Sequence, residues 1–474
     1  MTFIQVEFLW LMMTVFVVYW ALPRRWMQNV LLVAVSALFY GWVHPWFLIL
    51  LYGSSVLDYF MGLGMVRWPD RKRIFLLISM TGNLGMLGYF KYVDFFIENF
   101  LVVFDAIGLQ TSVHTLGVFL PVGISFYTFQ TMSYTIDVYR GELQPRRNFL
   151  DYVGFVSFFP QLVAGPVERA GNLLRQMEVD RVFSWAAVRS GVALAMWGAF
   201  KKVVCADTIA PYVDKVFILK EPSGPLIWAA TLGFAIQILA DFSGYTDIAR
   251  GVARMLGFEL IENFKHPYLS ANPSEFWKRW HVSFSTWIRD YLYIPTGGSR
   301  GGFWATTRST FIAMVLSGLW HGAAWTFILW GAYHAALLTG YRLVTRRIPD
   351  AIRNARPAGL PLGEAAAVVI MFGFTLLGWM IFRETRLDRL TLYLSQSPFS
   401  ASPDEWVATW VMLGVCAFTA APMVAVLCWE RFVQPRLHTS PWYLPIQTTG
   451  WAVAALGIFV FYRNVGNDFI YFQF

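Results

Sequence analysis

The chain has 474 residues, of which 57% are apolar and only 14% are charged. A soluble domain carries about 45–50% apolar and about 25% charged residues, so a soluble enzyme, a disordered chain and a fibre are excluded. A β-barrel would show alternating segments of about ten residues, whereas the apolar runs here are long and continuous. The composition therefore predicts a polytopic, all-α membrane protein.

Eight apolar runs are clear candidates for membrane spans, in the order 3–22, 45–66, 74–91, 185–204, 226–247, 362–382, 406–429 and 450–462. Shorter or more polar runs lie at 30–43, 116–138, 149–166 and 310–341. Because about 20 apolar residues cross a bilayer, these runs predict about 11 or 12 transmembrane and re-entrant helices. No linker or internal repeat interrupts them, so we expect one membrane domain over residues 1–474. The first run lacks a basic leader and a cleavage site, which favours a retained span over a signal peptide.

The net charge of +8 comes from 37 Lys and Arg residues against 29 Asp and Glu residues. The basic residues fall between the apolar runs, which the positive-inside bias explains better than nucleic-acid binding. Basic clusters at 24–25, 67–73, 140–147 and 342–356 then mark the cytoplasmic side, with the N-terminus outside. The loop at 349–361 is predicted to be cytoplasmic, and the loop at 395–405 is predicted to lie on the outer side.

The three cysteines, Cys205, Cys416 and Cys428, all lie in apolar stretches. The last two would be about 18 Å apart along one predicted helix, which is too far for a disulfide. Their spacing matches no metal site, so we expect inert thiols in the core.

Polar residues collect in the middle of the chain, where an intramembrane charge is expensive and often marks a functional path. The first polar stretch, 240–248, carries Asp241 and Asp247 at the end of an apolar run. One interpretation is a helix end whose carboxylates pair with Arg250 or Arg254. The other is the wall of a polar cavity.

The second stretch, 276–295, reads as a single amphipathic helix lying in the plane of the membrane interface. Its aromatic residues follow a helical stripe made of Trp277, Trp280, Phe284, Trp287 and Tyr291. This interpretation does not account for His281, which lies in the middle of the stretch.

The third stretch, 316–326, lies inside a window, 309–341, that contains no charged side chain and is flanked by Arg308 and Arg342. If both flanks are cytoplasmic, the chain enters the membrane and turns back, with His321 near the turn; a single kinked span is the alternative. Histidine exchanges a proton near neutral pH, so an intramembrane imidazole suits the activation of a hydroxyl group. We expect His334 to lie on a different face and to be structural. Metal binding by His281 and His321 is disfavoured, since no carboxylate or thiolate stands at ligand spacing.

At these residues the sequence resembles the membrane-bound O-acyltransferase (MBOAT) family, and within it the bacterial branch that O-acetylates alginate and cellulose. The resemblance covers nearly the whole chain. Its most specific motifs are residues 121–130, 157–166, 241–247, 276–295 and 319–322, together with the ending at 469–474.

The resemblance implies a funnel-shaped helical domain with a central tunnel. His321 matches the essential histidine of the family, and His281 matches a second position that is His in this branch and Asn or Asp in many other relatives. We hypothesise that His321 is the base and that His281 positions substrate or stabilises charge, since acyl transfer needs both functions. Further candidates for the tunnel wall or substrate contact are Asp241, Tyr245, Ser317 and Trp320.

The resemblance also implies a donor and partners. The acetyl donor is expected to be cytoplasmic acetyl-CoA, with no tightly bound cofactor and no metal. Candidates for contact with its phosphates are Lys278, Arg279 and Arg289, although solvation of a cytoplasmic face explains each of them equally well. The acetyl group would cross the bacterial inner membrane to a periplasmic SGNH-type acetyltransferase, which works with a polysaccharide synthase complex on an exopolysaccharide.

Other functions stay open. Within the same reaction class, the chain would transfer D-alanine to teichoic acid from a small acidic carrier protein, or acetylate peptidoglycan. From a different class, it would be a transporter or an acyl conduit that does no chemistry. Inverted repeats with paired broken helices would favour a transporter, and the sequence has none.

Overall fold

The computed structural model describes residues 1–42, 44–109, 111–162, 165–346, 361–437, 439–463 and 469–470. These residues form helices and no strand, which confirms the all-α class. In chain order, the helices are α1 (Val6–Ala21), α2 (Arg25–Gly41), α3 (Phe47–Arg67), α4 (Lys72–Leu87), α5 (Val93–Ala106), α6 (Ile124–Arg140), α7 (Phe149–Ser157), α8 (Phe159–Leu162), α9 (Arg175–Met177), α10 (Trp185–Phe200), α11 (Asp207–Ile218), α12 (Gly224–Met255), α13 (Pro273–Arg279), α14 (Val282–Ile288), α15 (Gly302–His321), α16 (Trp325–Arg346), α17 (Pro361–Arg383), α18 (Leu387–Ser395), α19 (Pro403–Cys428), α20 (Gln434–Leu437) and α21 (Tyr443–Phe461).

Several of these helices are joined by π-helical turns, in which an extra residue shifts the side chains that follow; such turns occur often at functional sites. In the described residues they are Gly88–Tyr92, Ala170–Leu174, Lys201–Ala206, Arg289–Tyr293 and Trp429–Val433. One of them begins at Arg289, a candidate for donor contact, and another carries Lys201 and Lys202.

Six helical stretches of the described residues are long and apolar enough to cross a membrane, which confirms a multi-pass membrane protein. They are Phe47–Arg67, Pro69–Ala106, Gly224–Met255, Gly363–Arg383, Pro403–Leu437 and Tyr443–Phe461. The run predicted at 3–22 forms α1, whose 16 residues are fewer than the ~20 that cross a hydrocarbon core. The run predicted at 185–204 forms α10 and the first part of the π-helical turn Lys201–Ala206, and α11 follows without a break.

Some predicted segments differ from the structure. Helix α6 begins only at Ile124, because Gly123 adopts a left-handed conformation (φ 77°) and Pro121 stands just before it. A Cβ atom at Gly123 would lie 2.7 Å from the carbonyl oxygen of Leu162, so only glycine fits there. The predicted loop at 349–361 lies almost wholly outside the described residues. The expectation of three core thiols is wrong for Cys428, which is exposed, because α19 belongs to a stretch whose side chains mostly point outward.

The described chain divides into two compact units. Unit 1 contains residues 1–195 and 248–261, and unit 2 contains residues 196–247 and 262–474. The single membrane domain and its tunnel stay predictions.

In unit 1, the helices α3, α4 and α6 pack around a buried carboxylate. Asp58 accepts hydrogen bonds from Ser79 Oγ (2.6 Å) and Asn83 Nδ2 (2.7 Å), and Ser79 also lies 3.0 Å from the hydroxyl of Thr135. Polar side chains that bond across helices are a usual way of fixing membrane helices against one another. This network therefore gives the buried carboxylate of Asp58 a structural role, which is to join the three helices.

Candidate functional site

His321 lies at the tip of a helical hairpin in unit 2. Helix α15 ends at His321, and the chain returns through α16, which packs along α15. The approach is close because the contact is lined by glycine: a Cβ atom on Gly318 would lie 2.0 Å from the carbonyl oxygen of Phe327, and one on Gly331 would lie 2.2 Å from that of Met314. The prediction that this stretch turns back at His321 is confirmed, and the single kinked span is wrong.

His281 lies at a sharp bend between α13 and α14, so the prediction of one continuous helix over 276–295 is wrong. Its backbone is left-handed (φ 43°, ψ 56°), a conformation that costs a non-glycine residue about 1–2 kcal/mol. Asn263 explains why the bend persists. Its backbone oxygen accepts from the N–H of Val282 (3.0 Å), and its Oδ1 accepts from the N–H of Ser283 (3.1 Å).

The bend and the hairpin bring both histidines onto one aromatic ring. The ring centroid of Phe284 lies 5.0 Å from that of His281 and 5.5 Å from that of His321. Trp320 stacks on the same phenyl ring at 4.3 Å. Three predicted site residues, His281, Trp320 and His321, therefore meet in a single cluster, which we call the histidine cluster together with Phe284.

Aromatic rings close the histidine cluster on its other sides. His321 contacts the rings of Trp330 and Phe382 at 5.1 and 5.2 Å. His334 is buried on α16, the other arm of the hairpin, and shares Trp330 with His321 at 4.7 Å. Neither Trp330 nor Phe382 was predicted as a site residue, because their positions depend on how the hairpin packs.

The imidazole rings of His281 and His321 are both buried. His281 is 0% exposed and His321 is 3% exposed, and water does not solvate a charged ring well in such surroundings. Burial lowers the pKa of His281, so its neutral imidazole is favoured. Within the described residues, neither ring nitrogen of His281 has a hydrogen-bond partner. A buried polar group that the protein leaves unsatisfied is suited to a polar substrate atom.

The carboxylates of the first polar stretch pair with two lysines that were not predicted as partners, and the predicted pairing with Arg250 stays a prediction. Asp241 lies 2.8 Å from Lys202 Nζ, which also lies 2.8 Å from Asp207. The neighbouring Lys201 pairs with Asp247 at 2.7 Å. The π-helical turn after α10 carries both lysines, and the predicted pairing with Arg254 is wrong because Arg254 pairs with Glu259 instead. Two lysines in a predicted span were the signal that the sequence analysis missed.

Asp241 and Tyr245 reach the histidine cluster through neighbouring aromatic rings. Phe242, which follows Asp241, contacts His281 at 4.7 Å. Phe469 contacts Phe242 at 5.4 Å and Tyr245 at 4.6 Å, and the N–H of the residue after it, Ile470, donates to Asp241 Oδ2 (2.7 Å).

The remaining predicted residues are spread over the surface and the core of unit 2. Ser317 is buried one turn before His321 in α15. Arg279 pairs with Glu275, and Arg289 pairs with Asp290. Lys278 is exposed and has no ion-pair partner among the described residues. Their contact with a donor stays a prediction. In the described residues, no group of three His, Cys, Asp or Glu side chains is arranged to hold a metal ion.

Comparison with known proteins identifies the family. The model of the membrane-bound O-acyltransferase family, MBOAT, matches residues 142–382, which include the histidine cluster. The chain is 40% identical to proteins named probable alginate O-acetylase, one from Azotobacter vinelandii (82% of this chain, 76% of the relative) and one from Pseudomonas aeruginosa (82% and 73%). It is 33% identical to the peptidoglycan O-acetyltransferase of Helicobacter pylori (77% and 72%). The chain therefore belongs to the membrane-bound O-acyltransferase family and is an O-acyltransferase.

Proposed function

We propose that this enzyme takes acetyl groups from acetyl-CoA on the cytoplasmic side of the bacterial inner membrane and passes them outward for O-acetylation of an exopolysaccharide of the alginate or cellulose type. Two relatives at 40% identity that are named as alginate O-acetylases support the polymer class. The observation that carries the chemistry is the contact of His281 and His321 with the same ring, that of Phe284.

In the proposed reaction, His321 accepts the proton of the attacking hydroxyl group as its oxygen bonds to the thioester carbonyl carbon. The tetrahedral intermediate carries an oxyanion, and an N–H of His281 donates to it. When the intermediate collapses, the carbon–sulfur bond breaks, the acetyl ester stays on the hydroxyl oxygen, and the proton on His321 passes to the departing thiolate. A positioned general base contributes about 10²- to 10⁴-fold to such a transfer, and the aromatic walls around His321 exclude water that would hydrolyse the thioester.

The hydroxyl group that receives the acetyl ester belongs to a periplasmic acetyltransferase of the SGNH type, which passes the acetyl group to the polymer together with the polysaccharide synthase complex. Acetylation of peptidoglycan is the second candidate, and the Helicobacter pylori relative at 33% identity favours it. The two differ in the polymer that gains the ester, so isolating the exopolysaccharide and the cell wall from the same cells distinguishes them.

The test is His321→Ala, with acetyl ester measured on the secreted polymer and transfer from radiolabelled acetyl-CoA measured with purified enzyme. We expect both to fall by about 10²- to 10⁴-fold, the contribution of a general base. Normal yield from the membrane and an unchanged thermal midpoint would show that the variant folds. The purified assay separates catalysis from conduction, since a conduit forms no ester by itself.

The matched control is His114→Ala, which removes an exposed histidine of unit 1 and should leave both measurements unchanged. Wild-type ester levels in folded His321→Ala would refute the assignment of the base. Transfer from another acyl donor but not from acetyl-CoA would refute the donor while leaving the base intact.

A further inference from the structure

Unit 1 contains a cavity of ≈ 800 Å³ that the proposed reaction does not use. It lies where α1 ends and α2 begins, and the segment around Arg181 forms its other wall. The side chains that give it its chemical character are Trp20, Arg24, Arg25, Trp26, Asp180 and Arg181. All of them belong to unit 1, so the cavity can be described independently of the histidine cluster.

Arg181 is a half-buried cation that is held only by neutral groups. Its guanidinium donates to Asn29 Oδ1 (2.7 Å), to Gln28 Oε1 (3.1 Å) and to backbone carbonyl oxygens. It also lies over the ring of Phe258, at 5.1 Å. Within the described residues it has no carboxylate at ion-pair distance, although a buried charge is normally paired. These contacts fix the orientation of the Arg181 guanidinium group, and its positive charge remains available to bind an anion.

The other charged side chains of the cavity leave it positive. Arg24 is exposed, and its side chain makes no described hydrogen bond or ion pair. Arg25 reaches a carboxylate only at 3.9 Å, that of Asp151. Against these three arginines stands one exposed carboxylate, Asp180, so the net charge of the lining is +2 (three positive, one negative). One guanidinium group can donate two parallel hydrogen bonds to two phosphate oxygens, so phosphate is the anion that best matches this lining.

The apolar side chains that line the cavity indicate which kind of molecule the phosphate belongs to. Trp20 and Phe183 pack edge to face at 5.1 Å, and Trp26 is 53% exposed. Exposed tryptophans beside arginines are typical of the membrane interface, where the headgroups of lipids lie. Basic pockets between membrane helices are suited to anionic headgroups.

We propose that this cavity binds a phosphate ester, with the phosphate among Arg24, Arg25 and Arg181 and the organic part against Trp20 and Trp26. The ester comes either from the headgroup of an anionic phospholipid or from a small soluble molecule, and the same chemistry serves both.

The experiment uses the full chain in nanodiscs of phosphatidylcholine, with and without phosphatidylglycerol, and counts retained lipids by native mass spectrometry. A second arm adds glycerol 3-phosphate to the phosphatidylcholine nanodiscs. The variants are Arg24→Gln, whose side chain has no described contacts and which should fold, and Arg181→Gln. The matched control is Arg73→Gln, which removes the same charge from an exposed position of α4 outside the cavity.

We expect the wild-type protein and Arg73→Gln to retain one bound ester, and each cavity variant to bind it about fivefold more weakly, the effect of one basic residue near an anionic headgroup. Retention of phosphatidylglycerol alone assigns the lipid headgroup, and retention of glycerol 3-phosphate in phosphatidylcholine assigns the soluble ester. Equal binding by Arg24→Gln and Arg73→Gln, or retention of neither phosphatidylglycerol nor glycerol 3-phosphate, overturns the proposal. If Arg181→Gln does not fold, Arg24→Gln decides the outcome alone.

Discussion

Replacing Lys202 with methionine leaves two buried carboxylates of unit 2 without their shared cation. Lys202 Nζ lies 2.8 Å from Asp241 and 2.8 Å from Asp207. The side chains of Lys202, Asp241 and Asp207 are only 1%, 3% and 11% exposed. Methionine fills much of the same space, so the change removes the charge while largely keeping the packing.

The expected loss follows from this burial. Removing one partner of a buried ion pair typically costs about 3–5 kcal/mol, because the other charge stays buried without compensation. A tenfold change in equilibrium corresponds to about 1.4 kcal/mol, so the ratio of folded to unfolded enzyme should fall by roughly 10²- to 4 × 10³-fold. The N–H of Ile470 still donates to Asp241, which places the expected cost toward the lower end of this range.

The assay is thermal unfolding of the purified protein in detergent, with Arg386→Met as the matched control. Arg386 also pairs with a carboxylate, that of Asp388, but both side chains are about two-thirds exposed (65% and 66%), so its loss should change little. The double variant Lys202→Met with Asp241→Asn should recover part of the loss, because it removes one stranded charge. Equal midpoints for Lys202→Met and Arg386→Met would refute the reasoning.

Two further predictions concern the supports of the histidine cluster. Gly318→Ala should abolish transfer, because its Cβ atom would lie 2.0 Å from a backbone oxygen of α16, so that the two helices of the hairpin must separate. The control Gly340→Ala, whose Cβ atom would have nothing within 4 Å, should keep wild-type transfer. Equal transfer rates in the two variants would contradict this account of the hairpin. Asn263→Ala removes the acceptor of the Ser283 N–H and should lower kcat by about tenfold, the value of one such hydrogen bond, with KM nearly unchanged. Asn263→Asp keeps an acceptor oxygen and should restore most of the rate, so an equal loss in both variants, or a change in KM alone, would show that the bend does not position His281.

The apolar spans could be predicted because hydropathy reports directly on contact with lipid. The runs at 45–66 and 406–429 correspond closely to α3 (Phe47–Arg67) and α19 (Pro403–Cys428). The helices α5, α11 and α18 were not predicted. Each begins with an aspartate in its first turn, and polar residues at a helix end lower the mean hydropathy without preventing a helix.

The bend at His281 could not be predicted from local pattern. The spacing of Trp277, Trp280 and Phe284 fits an uninterrupted helix, and no proline or glycine marks a break there. What breaks the helix is Asn263, which precedes His281 by 18 positions (281 − 263) and bonds to the backbone that follows it. A competing partner so far along the chain is a property of the tertiary structure and has no signature in the local sequence.

The buried lysines are the opposite case, because the sequence did contain the signal. Lys201 and Lys202 fall in a run predicted to be a span, and an intramembrane lysine indicates a partner within the protein. The identity of the partner was not predictable. It depends on the π-helical turn Lys201–Ala206, which changes the direction of both side chains relative to a regular helix.

The ion network and the histidine cluster meet on α12. Asp241 pairs with Lys202, and the next residue, Phe242, packs against His281. Successive residues of a helix point about 100° apart, so fixing the rotation of α12 at Asp241 also fixes the direction of Phe242. A buried ion pair is weak evidence for stability, and its best-attested use is to set register. We therefore expect Lys202→Met to lower the transfer rate even well below its unfolding temperature. A folded Lys202→Met enzyme with wild-type kcat would show instead that the lysine stabilises unit 2 without positioning His281.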